Sequence, residues 1–178
     1  MLMLIEAKER NNKSILDSNQ IKSFDPIIGL KATVLILGTI PGKDSLRQDK
    51  YYGHARNSFW KIMYQLFDGE FEMDYERRKE FLKKNKIALW DVCQSANQRT
   101  SLDVDIKNEQ PNAITALIES NLSLKTIAFN GQKAEKLYFN YHPKIENITY
   151  LTLLSTSPAN ASYSFEQKLA NWSRICQQ

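Results

Sequence analysis

Four short, largely apolar runs recur along the chain: ATVLIL at 32–37, IALWDV at 87–92, LKTIAF at 124–129 and ITYLTLL at 148–154. Brief continuous runs of this kind, rich in β-branched residues, suit strands buried on both faces. Between and after them, segments of helical period occupy residues 58–66, 75–84, 113–120, 132–140 and 165–177. Strands separated by helices need crossover connections, and the economical solution is a parallel sheet with helices on both faces. The pattern therefore predicts an α/β fold, a three-layer α/β/α sandwich around a mostly parallel four-stranded sheet. Residues 1–26 are polar and punctuated by Asn11, Asn12, Ser14 and Pro26. They predict a loosely docked N-terminal arm, taken to residue 30, ahead of a single domain over 31–178. There is no internal repeat, domain linker or low-complexity tract.

Composition narrows the class. At 178 residues, with 42% hydrophobic and 25% charged positions and only 6 Gly and 5 Pro, the chain is neither collagen-like nor wholly disordered, and one domain is expected. Its apolar runs fall well short of the ~20 residues of a membrane-spanning helix. The apolar start at 1–5 runs straight into Glu6, Lys8, Glu9 and Arg10 without a cleavable signal pattern, so a cytoplasmic chain is expected. Lys and Arg exceed Asp and Glu by 24 to 20, a net +4 that permits a polyanionic partner without requiring one. Cys93 and Cys176 lie too far apart in sequence to suggest a disulfide framework, and reduced thiols are expected. With His54 and His142 they show no metal-ligand spacing, and two cysteines do not supply an iron–sulfur cluster, so no metal is expected.

In open parallel sheets ligands bind beyond the carboxyl ends of the strands. The first strand exits into Gly38, Thr39, Ile40, Pro41 and Gly42, the second ends at Asp91, the third runs into Asn130 and Gly131, and the fourth into Ser155, Thr156, Ser157 and Pro158. Turns favour such residues on their own account, but four polar exits on one rim point to a pocket. The first exit is not a phosphate-binding P-loop. Only three residues separate Gly38 from Gly42, Asp44 stands between Lys43 and Ser45, and Pro41 has no N–H to donate. GxGxxG, GxSxG and HExxH are absent, so no nucleotide cofactor is expected. The stretch YYGHARNSFW at 51–60 interleaves aromatic, cationic and carboxamide side chains, which suits a flat, polar, phosphate-linked ligand such as a nucleobase. Within it, Phe59 and Trp60 fit the core face of a helix. Asn57 fits either an N-cap or a functional group, and His54 either a buried histidine or a contact to phosphate or base.

Together these motifs resemble the uracil-DNA glycosylase superfamily. GTIPG at 38–42 is similar to its first motif and STSPAN at 155–160 to its second, while YYGHARNSFW resembles a segment of the mismatch-specific members. GTIPG, SLR, YYGHARNSFW, ALWDV, SLD, FNGQKA and STSPAN resemble the hypoxanthine-DNA glycosylase branch across 38–161. The resemblance implies an enzyme that flips a deaminated base out of DNA and hydrolyses its N-glycosidic bond, releasing hypoxanthine from deoxyinosine. Its partner would be DNA containing a deaminated base, and it would act as a monomer without cofactor.

The departures from the family pattern shape the expected site. Most members carry Asp or Asn at the third position of the first motif to place the attacking water; here it is Ile40. Several carry His where the second motif here begins with Ser155. The resemblance to that branch implies catalysis by the Asn of its RNxFW segment, so catalysis is expected to fall to Asn57. Thr39, Ile40, Tyr52, Asp91 and Asn130 are expected around the base. Gly38, Pro41, Gly42, His54, Ser155, Ser157, Pro158 and Asn160 are expected against the DNA. Ala55 replaces a frequent Pro and should loosen its loop. The same residues leave open uracil or xanthine as the base, and a nucleic-acid- or nucleotide-binding module without activity.

Overall fold

In the computed structural model, which describes residues 20–98 and 106–177, the chain begins with β1 (Gln20–Lys22), β2 (Val34–Gly38), α1 (Lys43–Gln48), α2 (Phe59–Leu66) and α3 (Tyr75–Lys84). It continues through β3 (Ile87–Asp91), β4 (Cys93–Gln98), β5 (Ile106–Pro111), α4 (Ile114–Glu119), β6 (Thr126–Asn130), α5 (Gln132–Tyr141), β7 (Thr149–Leu153) and α6 (Phe165–Trp172), closing in a 3-10 turn at Ser173–Gln177. The expected sheet is present, four parallel strands in the order β3-β2-β6-β7. SLD at 101–103 and residues 1–19 of the expected arm lie outside the described residues.

The period-two alternation of the strands sorts their side chains into two cores. Val34 and Ile36 of β2, Ile87 and Leu89 of β3, Ala128 of β6 and Leu151 and Leu153 of β7 pack with Phe59, Ile62 and Met63 of α2, Leu82 of α3 and Trp172 of α6. On the opposite face Leu35 and Leu37, Ala88, Ile127 and Phe129 pack with Ile114 and Ile118 of α4 and Ala134, Leu137 and Tyr138 of α5. Helices on both faces make the three-layer α/β/α sandwich. Two helices begin on side-chain caps that free their first turns from water: Asp74 accepts from the Arg77 N–H at 2.9 Å, and Ser164 and Gln167 form a capping box at the start of α6.

Three features depart from the sequence pattern. A second, antiparallel sheet in the order β1-β4-β5 stands beside the first. Its two longer strands read CQSANQ and IKNEQP, too polar to stand out as strands, and register shifts between Cys93, Ser95 and Asn97 break the alternation further. Helix α1 is six residues, five of them polar, too short to show a period. The helix expected over 165–177 is α6 only to Trp172, after which the chain tightens into the 3-10 turn.

Residues 20–27 of the expected arm are hydrogen-bonded into the domain. Ile27 exchanges both backbone bonds with Leu89, at 2.9 and 2.8 Å, and so covers the β3 edge. The Phe24 carbonyl accepts from Trp90 Nε1 at 3.0 Å and from the Tyr51 hydroxyl at 3.2 Å.

Because Ile27 is only 5% exposed, Ile27→Ala is expected to cost about 2–5 kcal/mol in urea unfolding. His142, half-buried at the end of α5 and stacked on Tyr138 with ring centroids 5.0 Å apart, has a pKa lowered by burial. Below the ordinary histidine range of about 6.5 the unfolded chain takes up a proton that the folded one resists. Stability is therefore expected to fall as pH drops from about 6.5, and His142→Phe to flatten that slope in denaturation measured across pH 5–7.

Candidate active site

The four exits of the parallel sheet open on one cleft of about 590 Å³. Gly38, Thr39, Ile40, Pro41 and Gly42 reach it from β2, Asp91 from β3, Asn130 from β6, and Ser155, Ser157, Pro158 and Asn160 from β7. Tyr52, His54 and Asn57 enter from the turn that precedes α2. Every site residue expected from the sequence thus lines the same cavity. Thr156, for which the sequence predicted no role, lines it too.

Gly38 is required by crowding. A Cβ there would stand 2.5 Å from Asp91 Oδ1 and 3.2 Å from the Tyr52 hydroxyl, so any other residue displaces one of them. Asp91 is 4% exposed, and its Oδ2 accepts from the Ser23 hydroxyl at 3.1 Å. Burial, and then the nearby Asp91 charge, push the Tyr51 phenol far above its ordinary range. Tyr52 adopts a left-handed backbone with φ of 54°, a conformation costing an ordinary residue about 1–3 kcal/mol. Its ring stacks on Phe59 with centroids 4.1 Å apart and planes at 25°. Ile40 joins Val92 and Cys93 in the second core while bordering the cleft, so the first loop presents a hydrocarbon at that position.

Asn57 stands in a short turn that ends in α2. Its Oδ1 accepts from the Phe59 N–H at 3.0 Å, satisfying a donor of the first helical turn, and its own N–H donates to the His54 carbonyl at 2.8 Å. The carboxamide is therefore held in one orientation, with one Oδ1 lone pair and the Nδ2 donors unspent on the described residues. His54 Nδ1 accepts from the Arg56 N–H at 3.0 Å, which assigns the ring proton of neutral His54 to Nε2, 3.6 Å from Asp44 Oδ2.

Thr156 is fully buried and bonds through all of its polar groups. Its N–H donates to Asn130 Oδ1 at 2.9 Å and its Oγ1 accepts from Asn130 Nδ2 at 2.9 Å. Its carbonyl accepts from both the N–H and the hydroxyl of Ser58, at 3.1 and 3.2 Å. Asn130 thus gives one bond from each end of its carboxamide to Thr156 while still bordering the cleft. The rest of the 155–161 loop ties largely to itself, apart from a 3.4 Å bond from Lys168 Nζ to the Ser157 carbonyl. Ser155 Oγ accepts from the Ser157 N–H at 3.3 Å, Ser157 Oγ from the Ala159 N–H at 3.2 Å, and the Ser155 carbonyl from Asn160 Nδ2 at 3.1 Å. Gly131, at φ of +99°, lets this loop approach, since a Cβ there would lie 3.1 Å from the Ser155 Cβ.

Thr156→Val keeps the shape but strips the acceptor from a buried Asn130 N–H. The expected cost is about 1–3 kcal/mol in chemical denaturation, the penalty for an unsatisfied buried donor. A cost near zero would mean that Asn130 finds another acceptor.

Comparison with known proteins is consistent along nearly the whole chain. Residues 26–175 match the model of the uracil DNA glycosylase superfamily. A protein of Methanosarcina barkeri named hypoxanthine DNA glycosylase is 35% identical over 154 residues, covering 85% of this chain and 94% of the relative. One of the same name from Methanosarcina acetivorans is 32% identical over 157 residues, covering 86% and 96%. The solution NMR structure of a uracil DNA glycosylase candidate from Methanosarcina acetivorans superposes with a TM-score of 0.72 at 29% identity, covering 88% of this chain and 98% of that one. The chain, with its polar loops gathered at one end of a parallel sheet, belongs to the uracil DNA glycosylase superfamily.

Proposed function

We propose that this protein is a DNA glycosylase that releases hypoxanthine from deoxyinosine, acting as a monomer with Asn57 as its catalytic residue. The observation that carries the reading is Asn57 itself. Its carboxamide is held at the cleft wall by the Phe59 N–H, while the side chain of Ile40 on the first loop has no polar atom. The names of the two relatives, spanning almost the whole of both chains, support the choice of base.

In this mechanism the extruded nucleotide enters the cleft base first. Extrusion costs a few kcal/mol, least for a mispaired base. The Tyr52 ring, which borders the cleft, stacks on the purine, an interaction that gives affinity more than choice. Asp91 accepts from the N1–H of hypoxanthine, while Asn130 uses the donor and acceptor capacity left after Thr156. Gly38, Thr39, Pro41 and Gly42 from the first loop and Ser155, Ser157, Pro158 and Asn160 from the second hold the flanking strand, with His54 beside them. In the reaction the C1′–N9 bond breaks, its electron pair leaves with the base, and a water oxygen bonds to C1′. One proton of that water passes to the departing base or to solvent. Asn57 accepts a hydrogen bond from this water through its remaining Oδ1 lone pair. Being neutral, it orients the water rather than deprotonating it, so rate comes from preorganisation.

Oligonucleotides carrying a single deoxyinosine, uracil or xanthine, incubated without added metal and then treated with alkali, test the reading. Strand breaks are expected mainly at deoxyinosine. Asn57→Ala is expected to slow single-turnover release by about 10²–10³-fold, the loss typical of one preorganised polar group. Asn57→Asp keeps the acceptor for Phe59 and a water-orienting oxygen, and should recover part of that loss. Breaks mainly at uracil would overturn the choice of base. A folded chain that binds these duplexes without cutting any would favour a binding module.

A further inference from the structure

A second cavity of about 390 Å³ shares Asn57 with the cleft and is otherwise lined by Ala55, Arg56, Ser58 and Lys61 with Phe165 and Lys168 of α6. Three cations face it, and Lys168 is only 6% exposed. Its ammonium donates one long bond, 3.4 Å, to the Ser157 carbonyl. An ammonium carries three donors, so two remain for another acceptor. Among the described residues, none of the three has a carboxylate within ion-pair distance, whereas Arg47, Arg77, Lys79 and Lys83 each lie against Asp44, Glu72, Glu76 and Glu80 respectively. Burying an ammonium without a counter-charge is unfavourable, and burial duly lowers the Lys168 pKa. The cavity therefore concentrates positive charge that the fold itself leaves uncompensated.

We propose that Arg56, Lys61 and Lys168 form a subsite for one backbone phosphate of the DNA strand, next to the nucleotide held in the cleft. The inference rests on the glycosylase reading and adds to it an anchor outside the two family loops. A guanidinium and two ammonium groups match a phosphodiester in charge, and Arg56 offers paired donors to its two free oxygens. Asn57 borders both cavities, so a phosphate seated here fixes the strand within reach of the residue that faces C1′. Through the Ser157 carbonyl, Lys168 also links this anchor to the loop that closes over the strand.

The test is binding of the full chain to a duplex containing 2′-fluoro-deoxyinosine, which resists cleavage, across a salt series. Lys61→Gln and Lys168→Met are each expected to reduce the slope of log K against log salt, the double variant by about 0.9, the value for one phosphate no longer neutralised. Lys168→Arg should restore it. A methylphosphonate scan should find one linkage beside the deoxyinosine whose neutralisation weakens the parent but not Lys61→Gln. Unchanged slopes in folded variants of a parent that still releases hypoxanthine would overturn the subsite alone. A parent that neither binds nor cuts deoxyinosine DNA would overturn the glycosylase reading and the subsite with it. Lys61 is exposed, so its variant decides the matter even if loss of buried Lys168 disturbs folding.

Discussion

The site depends on one buried residue, Thr156, whose N–H, carbonyl and hydroxyl are all spent on partners far away in sequence. Asn130 brings the end of β6 to it and Ser58 brings the start of α2. Three segments spread over 98 residues are thereby fixed by hydrogen bonds instead of by apolar contact, which is nondirectional. Directional bonds matter here because a glycosylase gains rate from placing a few dipoles accurately, and a misplacement near 1 Å costs about 10²-fold. Asn57 lies one residue before Ser58, so whatever holds Ser58 also holds the carboxamide. Thr156 therefore fixes, through Ser58, the backbone next to Asn57.

Strain and crowding supply the remaining precision. Tyr52 sits in a left-handed conformation, and Gly38 leaves no room for a Cβ between Asp91 and Tyr52. Such arrangements persist only where the surroundings over-determine them. Here the stacking on Phe59 and the buried Asp91 do so, and the cost is met by the core that Phe59 joins. An aromatic ring, a carboxyl and the Ile40 hydrocarbon thus border one cleft.

The parallel sheet was legible because its four strands carry β-branched runs and its helices a clear period. The antiparallel sheet was not, because β4 and β5 are polar strands held by backbone pairing, with register shifts that erase alternation. Residues 20–27 were hidden for a related reason. Ser23 and Phe24 bind through a hydroxyl and a carbonyl, and only Ile27 is buried, so no run of apolar positions marks the segment. In the cleft, the sequence could place Asn57, Asn130 and Ser155 at strand and helix ends, where polar residues gather. It could not tell that Asn130 gives bonds from both ends of its carboxamide to Thr156, since that pairing joins positions 26 apart. Thr156 lay inside the STSPAN motif but carried no chemistry of its own to draw attention.

Most polar groups around the cleft bind one another, and this limits what is left to touch a substrate. Ser155 and Ser157 tie the loop that bears them, Asn130 ties two strand exits, and His54 Nδ1 is occupied by the Arg56 N–H. Asn57 retains an oxygen lone pair and its amide donors. In the proposed mechanism the group beside the attacking water is the neutral carboxamide of Asn57, which can hold a hydrogen bond but takes up no proton. Such chemistry then favours a leaving group that carries its own stabilisation. Hypoxanthine does, because its N1 and O6 lactam spreads the negative charge that develops as the C1′–N9 bond breaks, a charge the neutral Asn57 does not offset. On that reading the rigidity built around Thr156 and the neutrality of Asn57 work together: the protein holds water and base still, and the substrate supplies the electronic bias.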